Sequence, residues 1–322
     1  MNARMRGVIG AASVALALAL IGSVVVHQQA GAGPVNHGNH NSHGNHVSHD
    51  GHPAAPDADQ AAAIEGQVGI QAASEFRANC RASHRSGNDP IIYPNQTGVS
   101  HVHEFFGNRS TNASSTYTSL KAAGTTCDPV VDLSAYWVPT LYKNGQPVAP
   151  ESVTVYYQGI HDMQRAVPYP PDMRYVVGNA RATSPDQNPS ARWSCTTQSP
   201  SSRDFMNCPA GTKLETYLDF PTCWNGRDLD SANHKDHIVF WNGSCPSTHN
   251  VVLPRLEFLI TYPVNGGGLS LGGTVNGVNV TNAPGYTFHG DFINAWDQPE
   301  LERRVRNCVN AGRICGTNGN PI

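Results

Sequence analysis

The stretch Ala135–Tyr142, AYWVPTLY, and the Asn144-Gly145 pair that follows it decide the fold class of this sequence. Aromatic and β-branched residues are typical of strands, and Asn-Gly is the pair favoured in a two-residue hairpin turn. Further short apolar runs occur between turn residues, at 91–93, 153–157, 173–177, 214–220, 238–241 and 256–262. This pattern predicts a mostly β fold, an antiparallel β-sandwich or jelly-roll-like single domain with few short helices.

A C-terminal helix is the clearest helical prediction. Asp297 and Glu300 have the spacing of a capping box, in which side chains satisfy the free N–H groups of the first turn. Leu301, Val305 and Cys308 then fall on one helical face.

Length and charge limit the classes of partner. The chain has 322 residues and a net charge of -3, and only 14% of its residues are charged. This length suits one large domain or two small ones. A nearly neutral chain has no basic surface for nucleic acid, so we expect no nucleic-acid partner.

The first 32 residues predict a signal peptide. Arg4 and Arg6 precede an uncharged apolar run over 7–26, and Ala30-Gly31-Ala32 fits the small-x-small cleavage pattern. The alternative is an uncleaved N-terminal anchor, because the run is about as long as a membrane-spanning helix. Both alternatives place the rest of the chain outside the cytoplasm, as a secreted or an anchored protein, and the membrane is a partner only in the second.

Residues 33–60 predict a disordered, His-rich linker, and residues 61–322 form the predicted domain. The linker lacks large apolar side chains, so nothing offsets the entropy of ordering it. Six histidines are spaced by three, which predicts weak binding of Zn, Cu or Ni or, alternatively, a solvated spacer. They are His37, His40, His43, His46, His49 and His52.

The eight cysteines all follow the export segment. An even number of cysteines in an exported chain is typical of a disulfide framework. Proximity along the chain predicts the pairs Cys80–Cys127, Cys195–Cys208, Cys223–Cys245 and Cys308–Cys315, although eight cysteines allow about a hundred connectivities.

Three distant stretches contain histidines in apolar or polar surroundings. His101 and His103 are two apart, so in a strand both imidazoles face one side, an arrangement that holds zinc, copper or iron. His289 and Asp291 are aligned by the same alternation and predict a ligand pair, a base with its orienting acid or an ordinary hydrogen-bonded pair. The alternative for His101 and His103 is a core histidine bonded to a backbone carbonyl.

The third stretch is a polar loop that carries His234 and His237. Function often lies on such loops above a rigid sheet. Trp224 and Trp296 adjoin the polar motifs and are the better candidates for stacking on a sugar ring, although most aromatics lie in the core. If the three stretches converge, they form one site of histidines and carboxylates.

Together, several blocks of the sequence resemble the DUF1996 family. They are 89–94, 100–108, 135–142, 220–237 and 288–297, in this order, and the likeness covers about residues 76–308. The resemblance implies a secreted protein like those of actinobacteria and fungi, directed to the wall or to polysaccharide. It implies no catalytic residues, because the family has no assigned activity. It does imply site residues at matching motif positions, namely His101, His103, His234, His237, His289 and Asp291.

The leading hypothesis is an extracellular protein that binds or acts on a carbohydrate through a His/Asp cleft. If it is an enzyme, a polysaccharide lyase or hydrolase, His103 or His234 transfers the proton and Asp291 assists. Trp224, His237 and Trp296 then bind the substrate, which is an extracellular polysaccharide or the cell wall. The alternatives are a transition-metal site, Zn or Cu bound by His101, His103 and His289, and a non-catalytic wall-binding or adhesion module.

Overall fold

The computed structural model describes residues 72–160, 165–197 and 202–322. The predicted signal peptide, the linker and its histidine tract lie outside these residues. The described chain is mostly β, as predicted, with the strands β1 (Ser74–Cys80), β2 (Ala82–Ser86), β3 (His103–Gly107), β4 (Ala135–Pro139), β5 (Leu141–Lys143), β6 (Gln146–Val148), β7 (Ser152–Gly159), β8 (Arg174–Gly178), β9 (Arg192–Cys195), β10 (Leu214–Asp219), β11 (Cys223–Trp224), β12 (Ile238–Val239), β13 (Val251–Val252), β14 (Arg255–Tyr262), β15 (Leu269–Val275), β16 (Val278–Ala283) and β17 (His289–Ile293).

Helices are short. They are α1 (Tyr117–Lys121) and α2 (Gln298–Arg304), and α2 continues into a π-helical turn (Val305–Val309). The 3₁₀ turns are Pro185–Gln187, Ser247–His249 and Gly285–Thr287. None of the helices in the described part of the chain has the length and hydrophobicity needed to cross a bilayer.

Two five-stranded antiparallel sheets form the sandwich. The first has the order β1-β7-β14-β10-β9 and the second the order β2-β3-β4-β17-β8. Side chains alternate between the two faces of a strand, so one face of each sheet meets the other in a shared core. Phe258 of the first sheet contacts Phe106 and Tyr136 of the second, at centroid distances of 5.3 and 5.6 Å. The prediction of a β-sandwich is therefore confirmed.

The outer face of the second sheet is also covered, which matters for the site. A second apolar cluster lies there, with Phe105, Trp137 and Val176 of the sheet packed against Ile91 and Ile92. The segment that carries these isoleucines is a turn and not the strand predicted at 91–93. The physical reason is Asp89, whose Oδ1 accepts hydrogen bonds from the backbone N–H groups of Ile91 and Ile92.

The local predictions of turns and caps agree with the structure. Asn144 and Gly145 have φ values of 50° and 76° between β5 and β6, the left-handed conformation that the hairpin turn needs. Asp297 caps α2 by accepting from the N–H of Glu300, which is one half of the predicted capping box. The other half is not formed, because the Glu300 carboxylate accepts from Arg303 and Arg304 instead. All eight cysteines are paired, in the four predicted disulfides.

A buried polar chain crosses the shared core. The Tyr136 hydroxyl donates to Asp132 Oδ2 at 2.7 Å and lies 2.8 Å from the Tyr157 hydroxyl, which accepts from Trp296 Nε1 at 2.8 Å. Asp132 is fully buried, and this burial raises the pKa of its carboxyl from 3.8 to about 6. Hydrogen bonds from Tyr136 and Ser134 only partly offset the effect of burial.

The buried Asp132 predicts a pH dependence of stability. Because its pKa is higher in the folded chain, the folded chain binds more protons between about pH 4 and pH 6, and stability falls as the pH rises through this window. Asp132→Asn removes the charge and keeps an oxygen for the Ser134 N–H. We expect the free energy of unfolding of the variant to fall less over this window, by on the order of 2 to 3 kcal/mol. Urea unfolding at each pH, with chelator present, measures the difference. An equal change in the free energy of unfolding with pH for both proteins would contradict the prediction.

Candidate metal centre

Strand alternation places His103, His289 and Asp291 on the outer face of the second sheet. His103 is paired with Pro139 of β4, and Asp291 is paired with Trp137, two residues before Pro139. Residues in one paired row share a face, and so do residues two apart on one strand. The two histidines therefore come from strands on either side of β4 and lean towards each other above it.

His101 reaches the same place from the segment just before β3. This segment is held by β15, where Gly272 lies so close that an added Cβ would be 2.8 Å from the Val102 carbonyl oxygen. Its next neighbour on the same face of β15, Thr274, has its hydroxyl 3.3 Å from His101 Nδ1. A glycine is needed here because two backbones approach closely.

The three imidazoles form one buried cluster. The ring centroids lie 4.4 Å apart for His101 and His103, 5.1 Å for His101 and His289, and 5.8 Å for His103 and His289. One nitrogen from each ring lies within 4.8 Å of the others, and the most exposed of the three residues, His289, is 4% accessible.

Hydrogen bonds fix the tautomers of these rings. His103 Nδ1 is 3.1 Å from the Asn88 carbonyl oxygen and His289 Nδ1 is 2.9 Å from that of Thr287, and a carbonyl oxygen only accepts. The Thr274 hydroxyl donates to Asn279, so it accepts from His101 Nδ1. In each neutral ring the proton is therefore on Nδ1, and Nε2 carries a lone pair.

The distance between two of these nitrogens fits a shared cation. His101 Nε2 and His289 Nε2 are 3.2 Å apart. Two lone pairs at this distance repel each other unless a proton or a metal ion lies between them. Tetrahedral coordination with metal–nitrogen bonds of about 2.05 Å puts two ligand nitrogens roughly 3.3 Å apart. The donor set and its outer hydrogen bonds to carbonyl oxygens are also those of metal-binding histidines.

Two carboxylates adjoin the imidazoles. Asp89, His103 and Asp291 each bring a ligand atom within 4.8 Å of the others. Asp291 is fully buried, and neither of its oxygens has a hydrogen-bond partner in the part of the chain that the structure describes. Burial raises the pKa of the Asp291 carboxyl well above its usual value, the Asp89 charge raises it further, and Lys235 opposes both effects. A buried carboxylate in such a position needs a cation or an ordered water molecule.

Lys235 is a functional candidate that sequence reasoning missed. Its Nζ donates to the Gly178 carbonyl oxygen at 2.6 Å, and burial lowers the pKa of the ammonium group to about 8, while Asp291 opposes this shift. Asp89 was missed as well. The available signals were the Asp89-Pro90 pair, which is typical of a turn, and the position of Lys235 between two polar histidine motifs.

A small enclosed cavity borders the cluster. The space in it that is open to the centre of a water molecule measures about 10 Å³. His289, Asp291 and Asp89 form its polar side, and Ile92 and Val176 form part of its apolar side. This is room for about one water molecule.

The histidines of two of the three stretches converge, as predicted, and those of the third do not. His234 and His237 are not grouped with the three imidazoles in the described chain. His234 Nδ1 is 2.8 Å from Asp230 Oδ1, and His237 Nε2 is 2.7 Å from the Arg174 carbonyl oxygen. Their loop lies alongside β8, the edge strand of the second sheet, and the Val176 N–H of β8 donates to the His234 carbonyl oxygen. Both histidines thus cover an edge strand.

The two tryptophans have different surroundings. Trp296 is fully buried between Phe76, Tyr157 and Arg304, which corrects the expectation that its ring is open to a ligand. Trp224 is half-buried, and its Nε1 donates to the Asp228 carbonyl oxygen at 2.7 Å.

The fold and the site define a disulfide-bonded β-sandwich protein with a buried cluster of histidines and aspartates. A family model, described as a domain of unknown function (DUF1996), matches residues 89–296, which include every residue of the cluster. The chain belongs to the DUF1996 family. No curated protein and no solved structure matches it.

Proposed function

We propose that this chain is an extracellular metal-binding protein in which His101, His103 and His289 bind one transition-metal ion, Zn²⁺ or Cu²⁺. The proposal rests on the distance of 3.2 Å between His101 Nε2 and His289 Nε2. In both rings Nδ1 donates a hydrogen bond to another acceptor, so both Nε2 atoms carry a lone pair. Neutral imidazoles suit Zn²⁺ and Cu²⁺ among the divalent ions.

Charge supports the same proposal. A divalent cation among three neutral imidazoles leaves two positive charges in a buried site. Asp89 and Asp291 adjoin His103 and balance these charges when both are ionised. Without a cation, burial and the Asp89 charge raise the pKa of the Asp291 carboxyl, and a bound cation offsets both effects, so the charge balance favours an occupied site.

A carbohydrate substrate in this site is less well supported. His103 and Asp291 are fully buried, and the cavity that Asp291 lines, of about 10 Å³, has no room for a pyranose ring. The predictions of a polysaccharide or cell-wall partner and of a wall-binding module remain predictions. Four disulfides agree with an oxidising compartment outside the cytoplasm.

The experiment is metal analysis of a tract variant, a full-length chain in which the six histidines of the predicted linker tract are replaced by Asn. We expect this variant to retain one equivalent of Zn²⁺ or Cu²⁺ after gel filtration, because an ion bound to buried imidazoles dissociates slowly into solvent. Adding His101→Ala or His289→Ala should abolish this stoichiometric binding, since either change removes one nitrogen of the close pair.

The matched control is His249→Ala in the same tract variant. His249 bonds to Thr248 and to the Asp236 carbonyl oxygen and is not part of the cluster. We expect this variant to bind as much metal as its parent. Loss of metal in all three variants, or retention in all three, would show that the buried imidazoles are not the binding site.

A further inference from the structure

We propose that the cavity beside His289 holds an exchangeable fourth ligand of the metal ion, a small neutral molecule that donates hydrogen bonds, with water as the resident species. This inference rests on the proposed function and makes the centre an open site, as in catalytic metal centres, and not a closed structural one. Three imidazoles leave one position of a tetrahedral ion to be filled.

The position of the cavity supports a ligand at this place. His289 contributes both to the group of imidazoles and to the cavity wall, and Asp291 and Asp89 line the same cavity. A molecule in the cavity therefore lies beside a metal ligand and two carboxylates at once. A volume of about 10 Å³ admits about one molecule of the size of water and excludes larger substrates.

The carboxylates determine the chemistry of this ligand. Asp291 is completely buried and neither oxygen receives a hydrogen bond from the described protein. Buried polar atoms without a protein partner usually bond to an ordered water or an ion. Beside a divalent cation both carboxyl groups are ionised and their oxygens only accept, so the molecule in the cavity must donate, as water does.

The same carboxylates disfavour anions. Asp89 and Asp291 place two acidic groups at the cavity, and the nearby ammonium group of Lys235 is committed to the Gly178 carbonyl oxygen. The two acids offset the two positive charges of the ion, so they leave an anion no net attraction to it, and an anion that only accepts hydrogen bonds would leave the Asp291 oxygens without a donor. The proposed substrate class is therefore small, neutral and protic.

The alternative is that an Asp291 oxygen is itself the fourth ligand and closes the site. The two arrangements differ in whether solvent oxygen reaches the metal. The Cu²⁺-loaded tract variant can be examined by electron paramagnetic resonance in ordinary water and in water enriched in ¹⁷O. We expect ¹⁷O to broaden the copper lines, because the nuclear spin of a coordinated oxygen couples to the unpaired electron.

A pair of variants at Ala180 locates this oxygen. Ala180 lines the cavity, so Ala180→Leu should fill it, leave the copper content unchanged and remove the broadening. Ala180→Gly is the matched control, since it removes only a methyl group, keeps the space and should retain the broadening. Azide at millimolar concentration should change neither spectrum.

Each failure has its own meaning. Copper that binds without any ¹⁷O broadening would overturn the open position and favour Asp291 as a ligand. Broadening that survives in Ala180→Leu would overturn the assignment to this cavity. Failure of copper to bind, or binding that is unaffected by His101→Ala, would instead overturn the proposed function itself.

Discussion

Removal of the metal ion by a chelator is expected to lower the free energy of unfolding of this chain by about 4 kcal/mol, the value for an ion present at about a thousand times its dissociation constant. The proposed ion should bind only the folded chain, because His101 and His289 are 188 residues apart in sequence and meet only when the sandwich forms. For a domain of this size the loss corresponds to roughly 8 to 16 °C in the midpoint of thermal unfolding.

The measurement is thermal unfolding of the tract variant with saturating Zn²⁺ and with excess chelator. His289→Ala should unfold at nearly the same temperature under both conditions, since the nitrogen that shares the cation is gone. His84→Ala is the control, because this histidine stacks on Phe105 and bonds to the Thr111 carbonyl outside the cluster. This variant should be less stable than its parent under both conditions, but Zn²⁺ should raise its unfolding temperature by as much as it raises that of the parent. A chelator effect of equal size in His289→Ala would contradict the prediction.

Local patterns predicted what depends on local physics. The alternation of strand residues aligned His289 with Asp291, and the structure has both on one face of β17. The Asn144-Gly145 turn and the Asp297 cap need only neighbouring residues, and both were predicted correctly. The disulfides were predicted correctly because each of the four joins two cysteines that are consecutive along the chain.

The rest depends on contacts between distant segments. Asp89 belongs to the site because a turn folds over the outer face of the second sheet, and the apolar run at 91–93 was interpreted as a strand. Lys235 reaches the Gly178 carbonyl because its loop follows an edge strand. The periodicity of a sequence does not predict which edge of a sheet a loop covers. For the same reason, residue type alone predicted His234 and His237 as site residues. In the structure they bond to Asp230 and to the Arg174 carbonyl oxygen instead.

Gly178→Ala is expected to destabilise the chain by about 3 kcal/mol or more and to weaken metal binding. Gly178 has a φ of +90°, a conformation that costs an alanine roughly 1 to 2 kcal/mol. An added Cβ would also lie 2.6 Å from the Phe288 carbonyl oxygen and 2.7 Å from His289 Cα, so the backbone of β17 must move. That movement displaces His289, a proposed metal ligand, because Gly178 is paired with it.

Gly277→Ala separates the two contributions. Gly277 has a similar φ of +75° in the turn between β15 and β16, and its added Cβ would meet nothing within 4 Å. This control should therefore lose only the conformational contribution, roughly 1 to 2 kcal/mol, and keep its metal. Urea unfolding and metal analysis of both variants measure the difference. The additional loss of stability expected for Gly178→Ala comes from contact with the strand that carries His289. If both variants lose the same stability and bind metal as the parent does, the pairing of β8 with β17 does not position the proposed metal centre.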